Sequence, residues 1–297
     1  MRERRPSQTA STVALLRALA DQGLTDVPGF EDPVAHRLLS RGWSAALALL
    51  ARRLRSLDPA KRARALARLS AVPLRVMAID IELERAVELG CRQVACLGAG
   101  LDTRAFRMKA LSATRFFEID HPATQAFKRR KAAGLSPLVE QLTYVPVNFE
   151  RDALAACLSA AGHRPDEPTA WIWEGVVMYL SDDALRSTLR ALADASAPGS
   201  VLLVNYMEPP ASRRGQRVFH LLTWLWSEPL IGLRRREVML AEVERAGFRV
   251  VRDTGAADWA RQLGVPFAPS NPAANTRLLV AERPGPGAAP PPVRPPT

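Results

Sequence analysis

The run Gln93-Val-Ala-Cys-Leu-Gly-Ala-Gly-Leu-Asp-Thr-Arg-Ala-Phe-Arg107 decides the fold. It opens with a short apolar segment, Val94 to Leu97, of the length of a buried strand. Gly98 and Gly100 follow with only Ala99 between them. Glycine lacks a Cβ and tolerates positive φ, so such a turn lets backbone come close to a ligand. Asp102 and Thr103 then supply helix-starting side chains. Strand, glycine turn and helix start in succession describe the nucleotide-binding edge of an open α/β sheet. The third glycine of a dinucleotide fingerprint is replaced by Thr103. Its absence argues against a pyrophosphate and for a nucleoside ligand without one, such as S-adenosylmethionine. An ordinary tight turn is the competing reading of these residues alone.

Working outward, 297 residues suffice for a full core, and 47% hydrophobic with 24% charged residues is ordinary for a globular protein. No run of 18 apolar residues occurs, so no membrane span is expected. The basic start, Met1 to Pro6, is followed by Arg17 and Asp21, which argues against a secretory leader. Three cysteines (Cys91, Cys96, Cys157) and four histidines show no ligand spacing, so no metal is expected and a reduced, cytoplasmic setting fits. The net charge of +11 raises nucleic acid as a partner. Only four of the 41 basic residues are lysine, which reads as a compositional bias, and no aromatic-basic motif supports nucleic acid.

Before the glycine turn, residues 1–90 read as a helical lobe. Thr9 to Ala20 has helical apolar spacing, and Gly23 to Pro33 is a loop. Trp43 to Leu57 is amphipathic, with Arg52, Arg53 and Arg55 off its apolar face, and Lys61 to Ser70 continues that pattern until Pro73. The expectation for this basic face is solvation, with a membrane surface as the alternative. Leu74 to Leu89 is a further helix, closed by Gly90.

From Gln93 strands and helices alternate. Strands are expected at Thr114–Ile119, Thr143–Val147, Ala170–Trp173, Val201–Met207, Phe248–Arg252 and Arg277–Glu282. Helices are expected at His121–Ala133, Arg151–Ala161, Asp182–Ser196 and Arg236–Ala246. This rhythm predicts an α/β, Rossmann-like parallel sheet over residues 91–282. Residues 208–235 interrupt it and read as a lid insertion. Residues 283–297, rich in proline, read as a disordered tail.

Three successive strands end in polar residues, Asp120, Asn148 and Glu174, where open sheets place their ligands. Asp120 lies near the spacing at which a carboxylate meets a ribose hydroxyl pair, with Glu118 as rival. Asn148 suits an adenine amino group, Phe149 stacking on its ring, and Glu174 a cationic amino-acid end. Each residue taken singly also reads as a turn or cap residue.

The chain resembles the leucine carboxyl methyltransferase fold family, in its branch of bacterial S-adenosylmethionine-dependent O-methyltransferases. The resemblance spans roughly residues 7–282 and is carried by Glu31-Asp32-Pro33, Leu74-Arg75 to Asp80, Leu97-Gly-Ala-Gly-Leu-Asp-Thr-Arg-Ala-Phe-Arg107, Phe117-Glu-Ile-Asp120, Trp173-Glu-Gly-Val-Val-Met-Tyr-Leu180 and Glu228-Pro-Leu-Ile-Gly232. It implies a class I methyltransferase sheet of seven strands, the last antiparallel. It implies that Arg75 meets the methionine carboxylate of the cofactor, with Gly98 and Gly100 beneath it. Asp120 would take the ribose, Asn148 and Phe149 the adenine, and Glu174 the methionine side. Asn148-Phe149 departs from the family's usual Asp-Leu, keeping an acceptor but losing a charge.

Methyl transfer from a sulfonium is an in-line displacement, so the protein chiefly positions the acceptor and excludes water. A carboxylate acceptor is ionised at neutral pH and needs no base; a phenol needs one. Candidate bases are few: His121, Glu208 and His220. The expected acceptor is therefore a carboxylate of a small molecule or peptide, held by Arg213 and Arg214, with Tyr206 as a further pocket residue. Arg213 and Arg214 read equally as a solvated pair, and Tyr206 as a half-buried strand aromatic. Alternatives are a peptide or protein C-terminal carboxyl methyltransferase, a phenol methyltransferase, and a non-catalytic cofactor-binding protein.

Overall fold

In the computed structural model, which describes residues 8–148, 151–210, 230–267 and 274–285, the decisive stretch begins as β1 (Gln93–Leu97). Every residue of β1 is buried, as expected of a central strand with both faces covered. The other strands are β2 (Arg115–Asp120), β3 (Gln141–Pro146), β4 (Thr169–Trp173), β5 (Val201–Met207), β6 (Arg249–Gly255) and β7 (Thr276–Glu282). They form one sheet in the order β3-β2-β1-β4-β5-β7-β6. β1 to β5 pair in parallel, whereas β7 runs antiparallel to both β5 and β6. The α/β sheet with an antiparallel last strand is thus the observed fold.

Side chains alternate between two cores, as the two-residue period of a strand requires. Val94, Cys96, Ala170, Ile172 and Leu203 join one cluster; Ala95, Leu97, Trp171, Trp173 and Leu202 join the other. The first cluster is closed by α1 (Gln8–Asp21), α2 (Arg41–Arg55), α3 (Pro59–Leu69) and α4 (Ala71–Glu88). The 1–90 segment therefore shares a continuous core with the sheet: Leu74, Ile79 and Leu83 of α4 lie in the same cluster as Val94 and Ile172. The second cluster is closed by α7 (Leu154–Ala160), α8 (Asp182–Asp194) and α9 (Arg236–Arg245). Between these come α5 (Arg104–Arg107), α6 (Pro122–Ala132) and, beyond β6, α10 (Ala256–Gln262).

Local chemistry accounts for the helix ends. Ser181 caps α8 by accepting the Ala184 N–H, with Asp182 and Asp183 in the first turn where the helix dipole favours them. Asp58 caps α3, and Pro59 follows it. Pro73 sits in the first turn of α4 rather than between helices, because a first-turn residue needs no N–H donor. The sequence reading assigned no element to α10, a helix of seven residues whose start is held by Asp258 accepting the Gly255 N–H at 2.9 Å.

Candidate functional site

The site lies at the carboxyl ends of β1, β2 and β4. Gly98 and Gly100 both adopt left-handed φ, +63° and +50°. A Cβ on Gly98 would collide with the Val176 side chain, so this position is closed to larger residues by conformation and by space. A Cβ on Gly100 would touch Ala10 of α1 at 3.4 Å, which places α1 over the turn.

Asp120 closes β2 and bends back to the turn. Its Oδ2 accepts the Gly100 N–H at 2.5 Å and its Oδ1 the His121 N–H at 2.6 Å. An ionised carboxylate has about four acceptor sites, so two remain for ligand hydroxyls. Burial pushes the Asp120 carboxyl above the usual range, and the two N–H donors and Lys128 offset this only in part. Glu118, the rival, points into the protein: it pairs with Lys128 of α6 at 2.6 Å, with both side chains 1% exposed. Burial raises its carboxyl to about 7, against the pull of Lys128. The Val147 N–H donates to the Asp120 carbonyl, so Asn148 lies beside the end of β2. Phe149 lies outside the described residues.

Beneath the turn, charged side chains from five segments interlock. Glu174 takes Arg75 Nε on Oε1 at 2.8 Å and Arg104 Nη2 on Oε2 at 2.9 Å. Arg104 also meets Asp80 at 2.6 Å and Asp102 at 2.5 Å, and Arg107 meets the other Asp80 oxygen at 2.6 Å. Arg17 of α1 donates to Asp32 at 3.0 Å, to the Thr103 hydroxyl at 2.9 Å and to the Leu101 carbonyl at 2.5 Å. The Thr103 hydroxyl in turn donates to Asp32 at 2.7 Å. Thr103 thus stands where a fingerprint glycine would, as a tie to α1 rather than a helix cap. Burial opposes ionisation of both Asp102 and Glu174, yet Arg104, with Lys128 and Arg17 on Asp102 and Arg75 on Glu174, outweighs it. Both carboxyls consequently lie below the usual range and are charged at neutral pH. Leaving any one of these charges unpaired in the interior would cost several kcal/mol.

Two positioning residues were missed by sequence reading. Asn205 of β5 is fully buried; its Oδ1 accepts the Gly175 N–H at 3.3 Å and its Nδ2 donates to the Arg277 carbonyl at 3.0 Å. It fixes the bend that follows Glu174. Arg234 is 5% exposed and donates to the carbonyls of Val177 and Leu180 at 3.2 and 2.8 Å, while pairing with Asp182 at 2.8 Å. It pins the chain returning from the insertion onto the turn after β4. An arginine in so arginine-rich a chain carries no signal of this in the sequence.

The expected acceptor-side residues fare differently. Tyr206 is fully buried and donates its hydroxyl to Asp253 at 3.0 Å; burial and the Asp253 charge push it far above the ordinary phenol range. That is the placement of a core strand aromatic rather than a pocket wall. Arg213 and Arg214 lie outside the described residues, as do His220 and most of the 208–235 insertion. His121 uses Nδ1 to accept the Ala123 N–H at 3.2 Å, so it caps α6. Glu208 accepts the Arg236 N–H at 3.1 Å and lies 3.5 Å from Arg277. Among the described residues, no group of three or more histidines, cysteines or acids is placed to hold a metal. No described helix is long and apolar enough to cross a membrane.

The strand order and this site define the class I methyltransferase architecture. The chain belongs to the leucine carboxyl methyltransferase family, whose model matches residues 10–193. A relative from Frankia alni is 38% identical over 194 residues, 64% of this chain and 66% of its own length. One from Streptomyces coelicolor is 39% identical over 197 residues, 65% and 66% of the two chains. The chain thus matches just under two thirds of the length of these two relatives. A third, from Mycolicibacterium vanbaalenii, is 32% identical over 266 residues, 86% and 82%. All three carry assigned names as S-adenosyl-L-methionine-dependent methyltransferases, with no acceptor specified, in agreement with the cofactor expected from the sequence. Among solved structures, a methyltransferase candidate from Thermobifida fusca superposes with a TM-score of 0.60 at 17% identity, covering 96% of this chain and 97% of that one. At that identity the likeness speaks for the fold alone.

Proposed function

We propose that the protein is an S-adenosylmethionine-dependent methyltransferase that esterifies a carboxylate of a small molecule or natural product. The residues present suit that cofactor. Gly98 has no room for a Cβ and Gly100 holds a left-handed φ, Asp120 keeps acceptor sites for two ribose hydroxyls, and Arg75 and Glu174 offer a paired cation and anion to a zwitterionic methionine end. When bound, the sulfonium supplies an electrophilic methyl carbon. The protein's own part is to orient and to exclude water: Arg75 meets the cofactor carboxylate, Asp120 the ribose, and Asn148 and Phe149 the adenine.

One observation carries the carboxylate reading. Both candidate bases among the described residues are already engaged, His121 as a helix cap and Glu208 with Arg236 and Arg277. An acceptor that is already ionised needs neither. Arg213 and Arg214 are then proposed to clamp it by bidentate hydrogen bonds. Incubation with methyl-labelled cofactor and a panel of carboxylic acids, C-terminal peptides and phenols tests this. A base-labile label marks a methyl ester; a base-stable label points to an ether or amine and overturns the reading. Transfer only to peptides would favour a C-terminal carboxyl methyltransferase.

A further inference from the structure

One helical hairpin carries a dense and largely unpaired positive charge. Residues 41–68 hold eight basic side chains and one acid, which accounts for seven of the net +11 charges in 28 residues. They form the α2–α3 hairpin. On α2 the apolar stripe Leu47, Ala51 and Leu54 is buried against the protein, so the opposite face looks outward. Leu49, 71% exposed, stands on that face. Its helical neighbours three and four positions away are Ala45, Ala46, Arg52 and Arg53, all exposed. On α3, Lys61, Arg64 and Arg68 form an exposed stripe at helical spacing.

These cations differ from many exposed arginines of the sheet domain, where Arg164 meets Glu167, Arg186 meets Glu242 and Arg249 meets Glu282. On the hairpin only Lys61 has an acid, Asp58, at 3.1 Å; among the described residues none lies within ion-pair distance of Arg41, Arg52, Arg53, Arg64 or Arg68. A compositional bias toward arginine explains the residue type but not the local absence of acids.

We infer that the α2–α3 hairpin is a docking surface for an anionic lipid bilayer, which it meets peripherally with Leu49 directed into the interface. Clustered basic residues on a helix are drawn to anionic headgroups, and an exposed leucine ringed by alanines and arginines gains by entering the acyl boundary while the guanidinium groups stay at the phosphates. A nucleic acid would leave Leu49 without an apolar partner, and the hairpin presents no fully exposed aromatic on which bases could stack: Trp43 is half-buried. The contact is peripheral because the main apolar stripe of α2 is already spent on the protein core.

The test is co-sedimentation of the full-length protein with phosphatidylcholine vesicles and with vesicles containing roughly 30% phosphatidylglycerol, at about 50 mM and about 500 mM salt. The expected result is binding to the anionic vesicles alone, lost at high salt. The variant Arg52→Glu/Arg53→Glu/Arg64→Glu/Arg68→Glu should weaken partitioning on the order of several hundredfold, at about fivefold for each cation removed. Leu49→Asp should weaken it by about tenfold at unchanged cofactor affinity. Circular dichroism and cofactor titration report whether these variants remain folded. Equal binding to neutral and anionic vesicles overturns the inference. So does a folded quadruple variant that still binds, or retention by an RNA or DNA oligonucleotide without binding to vesicles.

Discussion

Four arginines around the glycine turn, Arg17, Arg75, Arg104 and Arg107, face four carboxylates, Asp32, Asp80, Asp102 and Glu174. Seven exposed cations on α2 and α3 face one, Asp58. The same side chain thus serves opposite ends. Where water is excluded, each guanidinium is matched to a carboxylate, since an unmatched interior charge costs several kcal/mol. Where water is present, mismatch costs little and leaves a net field for a partner. Burial demands pairing, while at the surface it is optional: Arg186 and Arg249 have acids beside them, and the arginines of the hairpin have none among the described residues.

The contrast can be tested by substitutions of graded effect. Arg104→Met removes the cation shared by three acids and should cost about 3–5 kcal/mol or prevent folding, as read by urea denaturation. A variant within about 0.5 kcal/mol of wild type would show that the buried network is not what holds the turn. Lys128→Met should be pH-dependent. In the wild type the raised folded-state pKa of Glu118 means that its contribution to stability is complete below the unfolded value of 4.5 and lost as pH rises through about 7. Removing Lys128, which pulls that value down, leaves the buried carboxyl still harder to ionise, so the loss extends to higher pH. The variant should therefore lose more stability, relative to wild type, at pH 8 than at pH 5. A penalty independent of pH would mean that Glu118 does not titrate in this range.

Smaller effects are expected at the ligand edge. Asp120→Asn should lower cofactor affinity by about 10- to 100-fold in isothermal titration, the worth of hydrogen bonds to a charged group, with a lowered melting temperature as well, because the amide can accept only one of the Gly100 and His121 N–H groups. Unchanged affinity would overturn its assignment to the ribose. The smallest effect belongs to the hairpin: Arg53→Ala should change stability by no more than about 0.5 kcal/mol, because nothing in the fold depends on its charge.

Much of the architecture was legible because it rests on local signals. The apolar runs located all seven strands to within a few residues, and β5 at its observed bounds, Val201–Met207. The strand-end polar residues also lay where open sheets place ligands. What was not legible depends on pairings remote in sequence. Arg75 and Glu174 meet across 99 residues, and Arg17 reaches Thr103 across 86. No periodicity announces such a match, so the Asp-Thr-Arg part of the central motif read as a helix start when it is also the hub of an ionic network. Tyr206 misled for a related reason. A tyrosine at a strand end suits a pocket, and only the antiparallel β7–β6 pair, which brings up Asp253, reveals that its hydroxyl is satisfied inside.

The antiparallel insertion of β7 between β5 and β6 has a consequence for assembly. Among the described residues, β6 has no neighbour in the sheet except β7, and β7 alone covers the outer edge of β5. During synthesis both wait, β5 with an open edge and β6 with no strand partner, until Thr276–Glu282 leaves the ribosome. The β5 edge stays open from its own synthesis until β7 is complete, and β6 is added unpaired within that interval; an exposed edge is a template for wrong pairing between nascent chains. A chain stopped short of β7 should therefore aggregate rather than remain a soluble fragment, even with the glycine turn and its arginine network fully made.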